Sequence, residues 1–125
     1  MAFAARQRGL ALQKLSQPSE AVKAYRQSIA LLEKLPKPEP VDVYCIASSH
    51  ALIHSVALAK GSGLATADAD SAAEQATTMM RRAFAAGYSD LAYLRKDSDF
   101  DSLRQHPDFQ KLLAERQKES KTSGK

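Results

Sequence analysis

The chain has 125 residues, which suits one domain and excludes a large catalytic domain beside an accessory module. Hydrophobic residues make up 44% of it and charged residues 26%, which are ordinary values for a soluble protein. There is no Trp, and the four Phe and four Tyr leave Ala, Leu, Ile and Met to build the core. The formal charge of +4 is only weak evidence for a nucleic-acid or anionic-lipid partner.

Much of the excess positive charge comes from the last stretch, RQKESKTSGK, residues 116–125. We expect residues 118–125 to be a flexible basic tail, because such charge runs are usually solvated chain ends. The main prediction is that neither nucleic acid nor a membrane is a partner. The alternative is weak nucleic-acid binding through the basic tail. Cys45 is the only cysteine, so no internal disulfide forms, and the absence of a signal-peptide pattern predicts a cytoplasmic location.

Residues 2–36 predict two helices joined by a tight connection. The run from Ala2 to Leu15 favours helix and contains no proline. Ser16 to Ser19 interrupts it, and we expect Ser19 to be the N-cap of the second helix. That helix carries an apolar stripe at three- and four-residue steps: Val22, Tyr25, Ile29 and Leu32.

Residues 42–87 predict a second helical pair after the proline-rich stretch LPKPEP, residues 35–40. The third helix is expected from Val43 to Ala59, with its packed side made of Tyr44, Ala47, Ala51 and Leu58, widened by Ile46 and Ile53. An insertion at 60–70 offers alternative N-caps for the fourth helix at Asp68, Asp70 and Ser71. Its stripe is Ala72, Ala76, Met79, Met80, Ala83 and Phe84, and Gly87 fits a left-handed C′ residue.

Residues 89–117 predict a cap of short helical segments. SDLAYL and DSDFDSLRQ each suit a turn or two of helix, and acids such as Asp97, Asp99 and Asp101 suit turn and cap positions. Pro107 suits the first position of a last helix. No alternating strand pattern occurs, so the predicted class is all-α, one domain over 1–117.

The spacing in the first helical pair resembles a tetratricopeptide (TPR) repeat. Gly9 lies in the small-residue slot of the first helix, and Ala21 and Tyr25 lie at the A-x3-F spacing of the second. Ala5 and Leu12 occupy the slots usually held by Trp and Tyr. A degenerate second unit follows the same pattern with Tyr44, Ala47, Ser48, Ala51, Ala76, Met80 and Ala83.

The stretch MMRRAFAAGYSDLAYLRKDSDFDSLRQHPDFQKLLAE is similar to the closing segment of TPR regions that follow the catalytic domain of large bacterial serine/threonine protein kinases. The resemblance implies antiparallel helical hairpins at 2–36 and 42–87, stacked as an α-α superhelix with a C-terminal capping helix. It also implies a protein-interaction or scaffolding role in a signalling protein. The kinase motifs themselves are missing: the sequence has no Gly-rich loop leading to a strand Lys, no His-Arg-Asp and no Asp-Phe-Gly.

The resemblance also implies a peptide-binding surface on the first helix of each pair. The corresponding positions are Phe3, Arg6, Leu10, Gln13 and Lys14 in the first unit and Asp42, Cys45, Ser49, Leu52 and Ile53 in the second. Arg6 and Lys14 would meet a peptide carboxylate. Alternatively, Phe3 and Leu10 pack on a preceding hairpin, in which case the isolated chain exposes an apolar N-terminal end that self-associates.

The competing class is a small helical metal-dependent enzyme. His50 and His54 lie four residues apart, on one helical face, as a metal-binding pair would. No Glu lies beside His50 to act as a base, and Cys45 has no sequence neighbour to activate it. We therefore predict no catalytic residue, no metal and no cofactor, and a protein or peptide as partner.

Overall fold

The computed structural model describes residues 2–59, 61–64 and 66–123, with side chains described as far as residue 118. Within these residues the chain forms helices and no strand, so the prediction of an all-α protein is confirmed. In chain order the elements are α1 (Ala2–Lys14), α2 (Pro18–Glu33), α3 (Pro40–Leu58), α4 (Thr66–Ala85), α5 (Leu91–Lys96), a 3₁₀ helix (Ser98–Leu103) and α6 (Pro107–Ser123).

The third helix, α3, is the centre of the fold. It packs against α2, α4 and the 3₁₀ helix, so side chains are buried around most of its circumference. This explains why its apolar residues do not form one stripe in the sequence. The prediction that Leu58 lies on the packed side is wrong, because its side chain is 58% exposed at the end of the helix.

By length and composition α3 is also the one described helix that would suit a membrane span. In its most apolar window 61% of the residues are buried inside the protein. Core helices of soluble proteins pass the same test, so this helix is weak evidence for a membrane.

Two clusters of buried side chains flank α3. One joins α1 and α2 to α3 and includes Val22, Tyr25, Ile29 and Leu32, which confirms the predicted stripe of α2. The other joins α3 and α4 to the C-terminal elements and contains Ala76, Met80 and Ala83 together with Leu94, Phe100, Leu103, Phe109 and Leu112. Phe100 and Phe109 stack with ring centroids 5.5 Å apart, so the C-terminal segment is anchored by aromatic packing.

Proline sets the start of two helices earlier than predicted. Pro18 is the first residue of α2 and Gln17 is its N-cap, so the prediction of Ser19 as N-cap is wrong. Pro40 likewise begins α3, ahead of the predicted start at Val43. A capping box explains this start: Asp42 accepts the backbone N–H of Glu39 at 2.7 Å, and Glu39 caps in return.

Of the predictions for α4, the one for its start is wrong and the one for its end is confirmed. The helix begins at Thr66, so Asp68, Asp70 and Ser71 lie inside it and the prediction that one of them is the N-cap is wrong. Its C-terminal end is confirmed: Gly87 has φ +115°, and Tyr88 N–H donates to the carbonyl of Ala83 at 2.9 Å. This is a Schellman motif, in which a glycine without a Cβ takes the left-handed position.

The connection between α1 and α2 uses the same motif without a glycine. Gln17 N–H donates to the Leu12 carbonyl at 2.9 Å and Ser16 N–H to the Gln13 carbonyl at 3.1 Å. Ser16 therefore has φ +60°, a conformation that disfavours any residue with a Cβ. The turn is formed at a local conformational cost.

The contact between α1 and α2 depends on Gly9. A Cβ on this residue would lie 2.6 Å from Cδ1 and 2.9 Å from Cζ of Tyr25, whose ring is fully buried. The Tyr25 hydroxyl donates to Oε1 of Gln13 at 2.8 Å, which fixes the ring against α1. The aromatic ring thus fills the space that a side chain at residue 9 would need.

The C-terminal elements begin at capping carboxylates. Asp90 accepts the N–H of Tyr93 at the start of α5, and Asp97 accepts the N–H of Asp99 at the start of the 3₁₀ helix, each at 3.0 Å. Pro107 begins α6, as predicted. This last helix continues to Ser123, into the segment predicted as a flexible tail, because its Glu, Arg, Gln and Lys residues favour helix. Residues 124 and 125 lie outside the described chain.

We expect Gly9→Ala to lower the free energy of unfolding by about 1–2 kcal/mol, because the clash with Tyr25 outweighs the better helix propensity of Ala. Urea denaturation measures this. The matched control is Ala11→Gly at an exposed site of the same helix, which loses about 1 kcal/mol through propensity alone. A stability gain in Gly9→Ala would contradict the packing described for Tyr25.

Replacement of Ser16 by Gly is expected to raise the unfolding free energy by about 0.5–1 kcal/mol, because glycine adopts positive φ without a steric penalty. Thermal and urea denaturation test this gain. As a control, Ser19→Gly within the exposed first turn of α2 is expected to destabilise. If both variants lost stability alike, the strain assigned to Ser16 would be wrong.

Candidate functional site

A groove of about 680 Å³ lies between α1, α3 and the C-terminal elements. Its N-terminal side carries Phe3 and Arg6, and its opposite side carries Tyr44, Tyr88 and Tyr93. Phe3 is 72% exposed and Tyr93 54%, so aromatic surface remains accessible at the rim. We call this cavity the tyrosine groove.

An ion pair closes one end of the tyrosine groove. Arg6 of α1 donates to the carboxylate of Asp99 in the 3₁₀ helix, and the Asp99 side chain is only 7% exposed. The aspartate is held there because the 3₁₀ helix packs against α3. A buried carboxylate requires such a partner, so the guanidinium of Arg6 is committed to this pair.

Tyr44 links the groove floor to the C-terminal cap. Its hydroxyl donates to Oδ2 of Asp97 at 2.5 Å, and its ring stacks on Tyr88 with centroids 4.5 Å apart. Burial and the neighbouring Asp97 carboxylate raise the pKa of Tyr44 far above its ordinary value. Burial, aided by Asp90, raises the pKa of Tyr88 to about 12, so both phenols stay neutral at physiological pH.

Carboxylates dominate the charge of the tyrosine groove. Asp42, Asp90, Asp97 and Asp99 line it, and Arg6 is the cation among the lining residues. Three of these acids also cap a helix, since Asp42, Asp90 and Asp97 accept backbone N–H groups at the starts of α3, α5 and the 3₁₀ helix. Helix capping therefore places negative charge around one cavity.

The structure separates the predicted peptide-binding residues. Phe3 and Arg6 line the groove, whereas Leu10, Gln13 and Lys14 do not. Leu10 packs on the core beside α2 and α3. Gln13 accepts a hydrogen bond from Tyr25 and donates to Ser55 Oγ at 3.4 Å, so its amide is engaged within the protein.

Ser49 cannot contact a partner, so its assignment to the binding surface is corrected. Its side chain is fully buried, and its hydroxyl donates to Ser28 Oγ at 3.4 Å between α2 and α3. The TPR resemblance placed it at a ligand-contact position of the second unit, whereas α3 is covered by α2, α4 and the 3₁₀ helix. The groove residues that spacing missed are three tyrosines, two capping aspartates and the ion-pair partner of Arg6: Tyr44, Tyr88, Tyr93, Asp90, Asp97 and Asp99.

Cys45 lines the tyrosine groove and is half-buried. Burial raises the pKa of its thiol, Arg6 opposes the shift, and Asp42 and Asp97 add to it. A raised pKa keeps the group as a thiol, which is a poor nucleophile. Its contribution to the groove is therefore apolar surface.

His50 and His54 occupy different surroundings. His54 is buried and its Nδ1 lies 2.8 Å from Ser102 Oγ, in the contact between α3 and the 3₁₀ helix. His50 lines a separate cavity of about 330 Å³ with Arg26, Glu33 and Asp68. Among the described residues no three His, Cys, Asp or Glu side chains are grouped to hold a metal ion.

Both histidines resist protonation. Burial lowers the pKa of His50 to about 4, with Arg26 contributing, and lowers the pKa of His54, with His106 contributing. A depressed folded-state pKa means that the unfolded chain binds the proton more tightly. Stability is therefore complete above the unfolded value of 6.5 and is lost as the pH falls towards 4.

We expect the unfolding free energy to fall by about 1–2 kcal/mol between pH 7 and pH 5 through His50 alone. Urea denaturation at the two pH values gives the loss, and His50→Gln is expected to remove most of it. Gln105→Ala, at an exposed site, is the control that keeps the wild-type pH dependence. An unchanged pH dependence in His50→Gln would contradict the burial of a neutral ring.

Comparison of the chain with protein-family models, with curated proteins and with solved structures finds no match. The TPR resemblance thus stays a prediction from residue spacing. The geometry of the tyrosine groove carries the functional argument.

Proposed function

We propose that the chain is a non-enzymatic protein-interaction module, and that the tyrosine groove is where it holds its partner. The observation that carries this proposal is the accessible aromatic surface of Phe3 and Tyr93 at the rim of a cavity of about 680 Å³. Exposed aromatic side chains around a groove are typical of protein recognition sites.

The proposed architecture is a pair of antiparallel TPR-like hairpins, stacked as the start of an α-α superhelix and closed by a C-terminal cap. Small residues at the helix contacts support it: Gly9 faces Tyr25 between α1 and α2. Between α3 and α4 the buried residues include Ala47, Ala51, Ala73, Ala76 and Ala83. Small side chains let two helices approach closely, as the TPR pattern requires.

We further propose that the module belongs to a bacterial signalling protein, as the C-terminal accessory region of a cytoplasmic serine/threonine kinase. The motivation is the closing sequence from Met79 to Glu115. Its glycine helix end, capping aspartates and Pro107 occupy the turns and helix starts that such a segment needs. Here the module would position a substrate or regulator while a separate domain supplies phosphoryl transfer.

A binding role suits the groove chemistry better than catalysis. The carboxylates of Asp42, Asp90 and Asp97 are engaged in helix caps, and Asp99 is paired with Arg6. No histidine is among the lining residues to activate the thiol of Cys45. Held in these contacts, the four carboxylates determine the shape and the charge of the groove.

Photo-crosslinking in the encoding organism tests the proposal. A benzophenone amino acid replaces Tyr93 at the groove rim, and the matched variant carries it at Thr78, exposed on α4 outside the groove. We expect a defined protein adduct from position 93 and none from position 78, because only the former lies in the groove. Equal adducts from both positions, or none from position 93, would reject the tyrosine groove as the interaction site.

A further inference from the structure

The charge and aromatic lining of the tyrosine groove define the chemistry of its partner. We propose that the groove binds a basic, extended protein segment, with a Lys or Arg side chain placed against the tyrosines and within reach of Asp42, Asp90 and Asp97. This inference rests on the proposed function and adds the class of partner. It reverses the charge expected from sequence spacing, in which Arg6 and Lys14 receive a carboxylate.

The net negative charge of the groove survives its internal contacts. Arg6 is paired with Asp99, so these two charges offset each other. Asp42, Asp90 and Asp97 instead accept hydrogen bonds from neutral donors, two backbone N–H groups and the Tyr44 hydroxyl among them. Neutral donors orient a carboxylate without cancelling its charge, so three negative charges remain to attract a cation.

The tyrosines add a second attraction for the same ligand. Tyr44 lies 4.5 Å from Tyr88 and 5.9 Å from Tyr93 between ring centroids, which makes one aromatic cluster beside the carboxylates. Ring faces attract Lys and Arg, and a partly desolvated site strengthens this attraction. Burial and neighbouring carboxylates raise the pKa of Tyr44 and Tyr88, so both phenols stay neutral beside the cation.

A carboxylate ligand is disfavoured by the same geometry. The charge of Arg6 is already offset by Asp99, and Lys14 does not line the groove. An incoming carboxylate would meet Asp42, Asp90 and Asp97 and be repelled. Beside the charged region, Phe3 and Val41 offer exposed apolar surface, so the complementary segment carries apolar residues between its basic ones.

Fluorescence anisotropy with two labelled peptides tests this inference. In the first probe Arg alternates with Leu, and in the second Glu replaces each Arg. We expect the full-length chain to bind the basic probe at least about tenfold more tightly than the acidic probe, and to lose affinity for it as salt is raised.

A charge-neutralising variant locates the binding. Asp42→Asn with Asp90→Asn removes two groove charges, and each Asn keeps a side-chain oxygen that can accept the same backbone N–H. For this variant we expect the dissociation constant of the basic probe to rise about tenfold. The control, Glu74→Gln with Asp108→Asn, removes the same charge at exposed sites outside the groove, and its dissociation constant is expected to stay within about twofold of the wild-type value.

Circular dichroism checks that both variants fold. Amide shifts of Tyr93 and Asp90 on titration of the wild-type chain with the basic probe give a test that does not depend on the variants.

Every other outcome would contradict the inference, and the outcomes can be told apart. Equal loss in both double variants means nonspecific charge attraction. Preference for the acidic probe, or no binding of either probe, rejects a basic partner, while crosslinking at position 93 still decides whether the groove binds a protein. Self-association that disappears when residues 119–125 are deleted, and that competes with the basic probe, would identify a second copy of this chain as the occupant.

Discussion

The ring of Tyr25 lies directly against the backbone of α1 at Gly9, and this contact sets where the first helix can lie. Because the ring is buried and its hydroxyl is held by Gln13, it acts as a fixed spacer between α1 and α2. With α1 in this position, Arg6 meets Asp99 of the 3₁₀ helix. The tyrosine groove exists because α1 is held on one side of α3 while the C-terminal elements are held on the other.

The groove obtains its charge from residues that the fold already needs. Asp42, Asp90 and Asp97 satisfy backbone N–H groups that would otherwise be unpaired at helix starts. Their second consequence is an acidic cavity beside three tyrosines. Since each carboxylate is positioned by a backbone that packs on the core, the site is preorganised rather than assembled from flexible side chains.

Sequence reasoning recovered the local features and missed the long-range ones. Helical class and the left-handed end of α4 at Gly87 follow from periodicity and from the steric freedom of glycine. The start of α3 at Pro40 was obscured because its capping box lies inside a proline-rich stretch. The TPR resemblance assigned Ser49 to a binding surface, but α3 is covered on several sides and buries this residue. Local sequence patterns could not identify Asp99 as the partner of Arg6. For the same reason they could not give the sign of the charge that remains in the groove.

Arg6 and Asp99 are separated by 93 positions along the chain, whereas most other helix contacts join neighbours in sequence. Neighbouring helices find each other after short loop closures, but this pair requires nearly the whole chain to be in place. On the ribosome, α1 is made early and its ionic partner late. The contact between Arg6 and Asp99 therefore forms only after Asp99 has been synthesised, so the groove is incomplete until the C-terminal elements are in place.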